Sequence, residues 1–489
     1  MLNRFGLWAV GLLTVLWGTR LWRIEQIPLH VDEAIHIYTA FMNWEGHLFW
    51  RIRTGKLLGY WAIAAFYPQN EMVFVSRIAT LFVVLIGFAA GIALIRRLFG
   101  TRAALIGGVL WVCSPYVFFL ERFALMDAQI GATVVLAAWA ALELTQRFRW
   151  RWAVLTGLLM PIPILYKISA APVVGMVGLI LLFAGTLSLK DRIRSLLIIG
   201  VTTALIFVPP ALYVLPRSAD QPWLADLGAL DTQGSSVFEK FSGNLDRLWQ
   251  ALTGFENQVW PLLLGLGLLL LVLLRPKRGL FWVGIAALPA LVVMVLGEGV
   301  FLRYFQVSMP FLLLLAGAGL AVAIERFSKG RQALTGLIVA GSLLASVPFA
   351  WSAYYDIQHI RLPLLMHEQY LSEHSAGFGL KEAMEALPTT QANPEIPVIA
   401  SMFPDSCRRA NLYAVSGHVL TCVNAPGLPE IEAALATQGE VYVLAESTPL
   451  IGVDVRTLDA LATQIAAYPR PGESADDASV VLWHLTRSE

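Results

Sequence analysis

Long apolar runs recur along this chain at a spacing that only a membrane protein needs. Taking stretches of about 20 residues as the length that crosses a bilayer, eleven candidate spans can be drawn at 5–23, 71–95, 103–120, 128–146, 152–166, 168–187, 195–215, 259–274, 280–297, 304–324 and 333–351. The fifth carries Pro161 and Pro163, which predict a break or kink. Of the 489 residues only 14% are charged, against about a quarter in an ordinary soluble domain, and mean hydropathy is +0.65. The expected fold class is therefore a polytopic α-helical membrane protein. A net charge of +1 gives no sign of nucleic-acid binding. The first apolar run lacks a small-residue cleavage site, so it reads as a retained span and not a removed signal.

The connecting loops set an expected orientation. Every second span leads into a short basic loop: Arg96-Arg97 to Arg102, Arg147 to Arg151, Lys190 to Arg194, Arg275 to Arg278, and Arg326 to Arg331. Lys and Arg collect in cytoplasmic loops. The expectation is a multi-pass protein of the cytoplasmic (inner) membrane, with the acidic stretch after the first span and the C-terminal region both extracytoplasmic. Arg20 and Arg23 oppose the rule, and are expected to face a polar cavity or to pair with Glu25.

This divides the chain into a transmembrane part, 1–351, with long outer loops at 24–70 and 216–258, and a small domain at 352–489. In the first loop Ala34, Ile37, Phe41, Trp44 and Leu48 recur at helical spacing, predicting a helix in the membrane interface. Arg51, Arg53 and Lys56 follow it, placed for lipid headgroups or a lipid phosphate. The second loop reads as polar and long enough to cap a cavity, its charges solvated. Past residue 352 helices are predicted at 379–387, 429–437 and 458–467 and strands at 397–402, 441–445 and 479–485, an α/β pattern. Of the three cysteines, Cys113 lies in an apolar run. Cys407 and Cys422 would form a disulfide if the domain is extracytoplasmic.

Chemistry concentrates at the outer span ends. His30-Val31-Asp32-Glu33-Ala34 puts two acids at a membrane boundary, where acids are costly and usually kept for function. On the same side lie Glu121-Arg122 with Asp127, Tyr166-Lys167, and Glu298 with Arg303-Tyr304. Cations and a carboxylate in one cavity suit transfer from a lipid-linked phosphosugar. The leaving lipid phosphate needs positive charge to stabilise it, and the acceptor needs a base on the opposite face of the sugar. Each residue also has a structural alternative. Asp32 could cap a helix, Glu33 could favour a helix N-terminus or support Asp32, Arg122 and Asp127 could be a structural pair, and Lys167 and Arg303 could extend toward the interface. His30 and His36 match no strong metal spacing.

The order of these pieces resembles the GT-C glycosyltransferases of the protein O-mannosyltransferase and lipid A aminoarabinose transferase type. The resemblance rests on His30 to Ala34, Arg122 to Asp127, Leu165-Tyr166-Lys167, and Arg303-Tyr304 leading to Pro310, within residues 1–351. It implies inverting transfer of a monosaccharide from a polyprenyl-phosphate donor, seated at the membrane lipid, to an extracytoplasmic protein, lipid or glycan. By that likeness Asp32 and Glu33 are the catalytic acids. Lys167, Arg303 and Arg122 hold the donor phosphate, and Asp127, His30 and Tyr304 shape the site. The resemblance requires no cofactor and leaves a divalent metal open. Where many relatives carry a His-Pro-Pro-like stretch, this chain has Thr54 to Tyr60. Two other readings compete: a transporter or flippase for lipid-linked sugars, which would favour an inverted repeat and midplane polar groups, and a non-catalytic assembly subunit.

Overall fold

Helices carry most of the chain, and the apolar runs explain why: a backbone surrounded by lipid must satisfy its own N–H and C=O groups. A computed structural model describes residues 4–47, 56, 58–66, 72–214, 236–255, 257–326, 330–390, 396–402, 404–413, 420–447, 454–458 and 460–487. Leu48, Arg51 and Arg53, the polar stretch 216–235, and Thr54, Gly55 and Leu57 lie outside the described residues. The chain forms two compact units. One comprises Met1–Ile24, Thr39–Tyr355 and Arg361–Pro363; the other comprises Glu25–Tyr38, Asp356–Ile360 and Leu364–Glu489.

In the first unit, six helices among the described residues are long and apolar enough to cross a bilayer: Arg4–Gln26, Met72–Phe99, Met126–Gln146, Leu189–Tyr213, Pro276–Leu296 and Arg331–Tyr355. Four shorter apolar helices accompany them, at Thr101–Cys113, Ile168–Phe183, Val259–Leu274 and Met309–Ile324. On length, then, six of the eleven expected spans qualify. The expected fifth span is two helices, Trp150–Leu159 and Pro161–Tyr166, broken where Pro161 removes a backbone donor. Met126–Gln146 is the central helix, with 83% of its most apolar window buried; Arg4–Gln26, Leu189–Tyr213 and Arg331–Tyr355 are peripheral at 11% each.

Glycine sets how closely these helices approach. A Cβ on Gly319 would collide with the carbonyl oxygen of Gly267, and one on Gly317 with the backbone of Gly107. Lipid offers no hydrophobic drive for helix association, so close backbone packing must supply it. Arg20 corrects the sequence reading. Its guanidinium is fully buried and donates to the Glu121 carboxylate (2.9 Å) and to the Val112 carbonyl (2.9 Å), not to Glu25. Trp111 Nε1 donates to the other Glu121 oxygen at 2.6 Å.

Two further readings change. The second outer loop contains a 17-residue amphipathic helix, Val237–Thr253, where only solvated polar chain was expected. Its start was legible: the Ser236 hydroxyl accepts from Glu239 N and the Glu239 carboxylate accepts from Ser236 N, a reciprocal cap. The first-loop helix forms at Val31–Trp44, but Ala34 and Ile37 are buried within the protein instead of facing lipid.

The second unit contains a five-stranded sheet of order β2-β1-β3-β5-β4, with β1 Val398–Met402, β2 Thr421–Asn424, β3 Glu440–Glu446, β4 Ala460–Tyr468 and β5 Val480–Arg487. β2, β1 and β3 are parallel; β5 pairs antiparallel with β3 and with β4. Period-two alternation sorts the side chains. Val398, Ala400, Met402, Tyr442 and Leu444 pack on one face with the helix Leu380–Thr390, while Ile399, Val441, Val443 and Ala445 pack on the other with Ile431 and Leu435. Cys407 and Cys422 form a disulfide, with Cα atoms 5.9 Å apart. The predicted helix at 458–467 is instead the edge strand β4. Its residues favour helix, but β5 offers an antiparallel ladder, irregular only between Gln464 and Ala466, and pairing overrides propensity.

Glu473 closes the turn before β5. Burial pushes its carboxyl up, but the Ser479 hydroxyl and the backbone N–H groups of Arg470 and Ser479 outweigh that, holding it below the usual carboxylate range. A depressed folded-state pKa contributes stability above the unfolded value, lost as pH falls through the folded one. Glu473→Gln should therefore lower hydrogen-exchange protection of the Arg470 and Ser479 amides at pH 7. The difference from wild type should vanish in acid. Independently, Gly319→Leu should abolish monodisperse folded protein on size exclusion in detergent. Gly284→Leu, at a glycine with nothing within 4 Å, should leave the yield unchanged.

Candidate active site

The central helix begins at Met126, so Asp127 sits in its first turn, where the helix dipole favours a negative charge. Lys167 stands at the break between the helix Pro161–Tyr166 and the 3-10 turn Ile168–Ala170, with extended backbone. Arg303 and Tyr304 belong to the 3-10 segment Leu302–Val307, which leads into Met309–Ile324. Its Leu302 carbonyl accepts from the Tyr116 hydroxyl at 2.6 Å, and Gly131 of the central helix lies against the Gln306 carbonyl.

These elements bring Asp127, Lys167, Arg303 and Tyr304 together. Lys167 Nζ lies 3.6 Å from Asp127 Oδ1, and Arg303 Nε lies 3.6 Å from Asp127 Oδ2. Lys167 Nζ is also 3.3 Å from the centre of the Tyr304 ring, a cation–π contact. Arg303 packs its guanidinium on Phe301, 5.0 Å from the ring centre. The two ion-pair distances exceed hydrogen-bond range, so the carboxylate neutralises the cations without saturating them. One carboxylate thus stands between two cations. At 11%, 14% and 7% side-chain exposure, Asp127, Lys167 and Arg303 are largely shielded from water. A second anion entering there would meet little competing solvent.

Arg122 does not join them. Its guanidinium donates to the carbonyls of Arg23 (2.6 Å), Trp22 (3.2 Å) and Ala353 (3.3 Å) and packs against Phe118 and Tyr354. Arg77 donates to the Ile24 carbonyl at 2.6 Å. Together they cap the end of the first helix, where Arg23 adopts φ +47° and the carbonyls have no further turn to bond. Arg122 is therefore placed as a helix-end clamp, apart from the Lys167–Asp127–Arg303 cluster.

Asp32, Glu33 and His30 belong to the second unit. His30 Nδ1 accepts from the Asp32 N–H at 3.1 Å, so His30 caps the helix Val31–Trp44 and keeps its ring proton on Nε2. The His30 ring packs on Tyr370 with centroids 4.8 Å apart. Val31 N donates to the Ser375 carbonyl (3.0 Å) and Leu29 N to the Tyr413 hydroxyl (2.5 Å). A buried relay holds Ser375 in turn. Arg409 donates to the carbonyls of Ser375 (2.9 Å) and His374 (2.7 Å) and reaches Glu446 of β3 at 3.3 Å; Arg470 reaches the same carboxylate at 2.6 Å. Gly377, at φ +84°, lies so close to the Leu29 carbonyl that a Cβ would meet it at 2.5 Å. Sequence reasoning singled out Asp32 and missed this support, whose residues are spread across 374–470. Among the described residues no group of three His, Cys, Asp or Glu side chains gathers as a metal set.

Residues 56–213 match the family of Dolichyl-phosphate-mannose-protein mannosyltransferases. Two solved structures share the architecture. ArnT from Cupriavidus metallidurans bound to undecaprenyl phosphate superposes with a TM-score of 0.54 at 15% identity, covering 98% of this chain and 97% of that one. The apo form of the same protein gives 0.56 at 16% identity, with 97% of each chain covered. The chain therefore shares the fold of that ArnT. No curated protein matches the sequence.

Within this fold the clamp role of Arg122 has a direct test. Arg122→Gln should cost about 1.5–3 kcal/mol for each charged hydrogen bond it loses, seen as a lowered unfolding temperature in detergent. Undecaprenyl phosphate affinity of the folded fraction should be unchanged. A phosphate ligand would give the reverse pattern.

Proposed function

We propose that this chain is a membrane glycosyltransferase that moves a monosaccharide from a polyprenyl-phosphate carrier to an extracytoplasmic acceptor, with inversion at the sugar. The observation that carries this reading is the shielded cluster in which Lys167 and Arg303 both face Asp127. The family match over 56–213 and the likeness to a protein solved with undecaprenyl phosphate support the carrier class.

In this reading the acceptor's oxygen or nitrogen attacks the anomeric carbon as the bond to the carrier phosphate breaks. The bonding pair leaves with the phosphate, whose growing charge Lys167 and Arg303 stabilise. Asp127 keeps both cations charged and in place, and Tyr304 fixes the Lys167 ammonium over its ring. The acceptor's proton passes to a carboxylate base, which we assign to Asp32. Glu33, buried one residue on, supports it.

Purified protein supplied with polyprenyl-phosphate sugars and acceptor extract should release polyprenyl phosphate. Lys167→Met should lower kcat/KM about 10²–10³-fold, the usual cost of losing one donor to a developing oxyanion. Asp32→Asn should lower kcat about 10²–10⁴-fold while carrier binding persists. A flippase would instead move the lipid-linked sugar across proteoliposomes without releasing carrier phosphate.

A further inference from the structure

The helix Val237–Thr253 presents three distinct faces. One is fastened to protein. Asn244 is buried, its amide donating to the carbonyls of Met294 (2.9 Å) and Gly297 (2.6 Å) and its oxygen accepting from Val300 N (3.0 Å). Arg247 donates to the Val300 carbonyl at 3.0 Å. At 100° per residue, the second face carries Phe238, Leu245 and Trp249, which are 77%, 49% and 63% exposed. The third carries Glu239, Asp246 and Gln250. Both exposed stripes are turned away from the docked face, and they lie about 100° from one another, one on either side of the point opposite it.

The fastening fixes where this helix sits. Met294 and Gly297 are the last turn and the cap of the span Pro276–Leu296. A helix bonded there lies at the level where that span leaves the bilayer, on the same membrane face as Arg303. Leu296, at the end of the span, is itself 49% exposed, so the lipid-facing surface reaches this level. An exposed stripe of Phe, Leu and Trp at the depth where aromatic residues anchor proteins, with an acidic stripe turned from it, fits a lipid surface.

We propose that Val237–Thr253 is an interfacial helix, with Phe238, Leu245 and Trp249 inserted among the acyl chains of the leaflet and Glu239 and Asp246 in water. The occupant of the apolar stripe is lipid. Through Asn244 and Arg247 the helix holds the turn Gly297–Val300, three residues before Arg303, so its seat in the bilayer also steadies one cation of the site. The inference needs only the membrane fold and stands whether or not sugar transfer does.

Nitroxide labels on Leu245→Cys, Trp249→Cys and Asp246→Cys, in full-length protein in phosphatidylcholine–phosphatidylglycerol nanodiscs, test this. The native cysteines do not compete, since Cys113 is buried and Cys407 is bonded to Cys422. Each variant is first checked for an unchanged elution profile in detergent. Labels at 245 and 249 should collide several-fold more with oxygen than with a water-soluble nickel chelate, and the label at 246 should show the opposite. Equal nickel access at all three positions would place the helix in water and overturn the proposal. Shielding of 245 and 249 from both reagents would mean that protein covers the stripe, and would overturn it equally. Should a cysteine variant not fold, quenching of Trp249 by brominated lipid, scored against Trp249→Phe, reads the same contact.

Discussion

One carboxylate shared by two cations, in surroundings that admit little water, is the constraint on which the membrane part of this protein turns. Removing any charge from water is costly, and three charges held this close repay the cost only if each is presented at a fixed place. Asp127 is fixed by the first turn of the most buried helix, Lys167 by the extended break between Pro161–Tyr166 and Ile168–Ala170, and Arg303 by a 3-10 segment bonded to Tyr116 and pressed against Gly131. The bare-backbone approaches at Gly107, Gly267, Gly317 and Gly319 let the helices Thr101–Cys113, Val259–Leu274 and Met309–Ile324 close up in a solvent that does not drive them together.

The arrangement also shows why buried cations are poor evidence of function by themselves. Arg20, Arg77, Arg122 and Arg303 are all nearly inaccessible. Arg20 is met by Glu121 and by carbonyls at the end of Thr101–Cys113, and Arg77 and Arg122 by carbonyls at the end of the first helix. At Lys167 and Arg303 one carboxylate serves two cations.

Much of this was legible in the sequence, and the failures have physical causes. Apolar runs gave the helices because lipid permits little else. Asp127, Lys167, Arg303 and Tyr304 were recognisable because each flanks a span on one expected face. The number of crossings was less legible, since 16-residue helices such as Val259–Leu274 and a proline-broken pair do not declare themselves by length. Arg122 misled because a cation beside an acid looks the same in sequence whether it faces substrate or a carbonyl. The strand at 460–468 misled because its ladder partner decides it, not its own residues. The helix after Ser236 was announced by its capping pair and overlooked amid polar neighbours.

The seat of Asp32 carries a consequence for how the protein comes to be made. Leu29 bonds Tyr413 across a separation of 384 residues, and Lys381 bonds the Glu25 carbonyl across 356. Neither bond can form until the intervening helices have been made and inserted into the bilayer. The segment that carries Asp32 is thus seated by partners synthesised long after it.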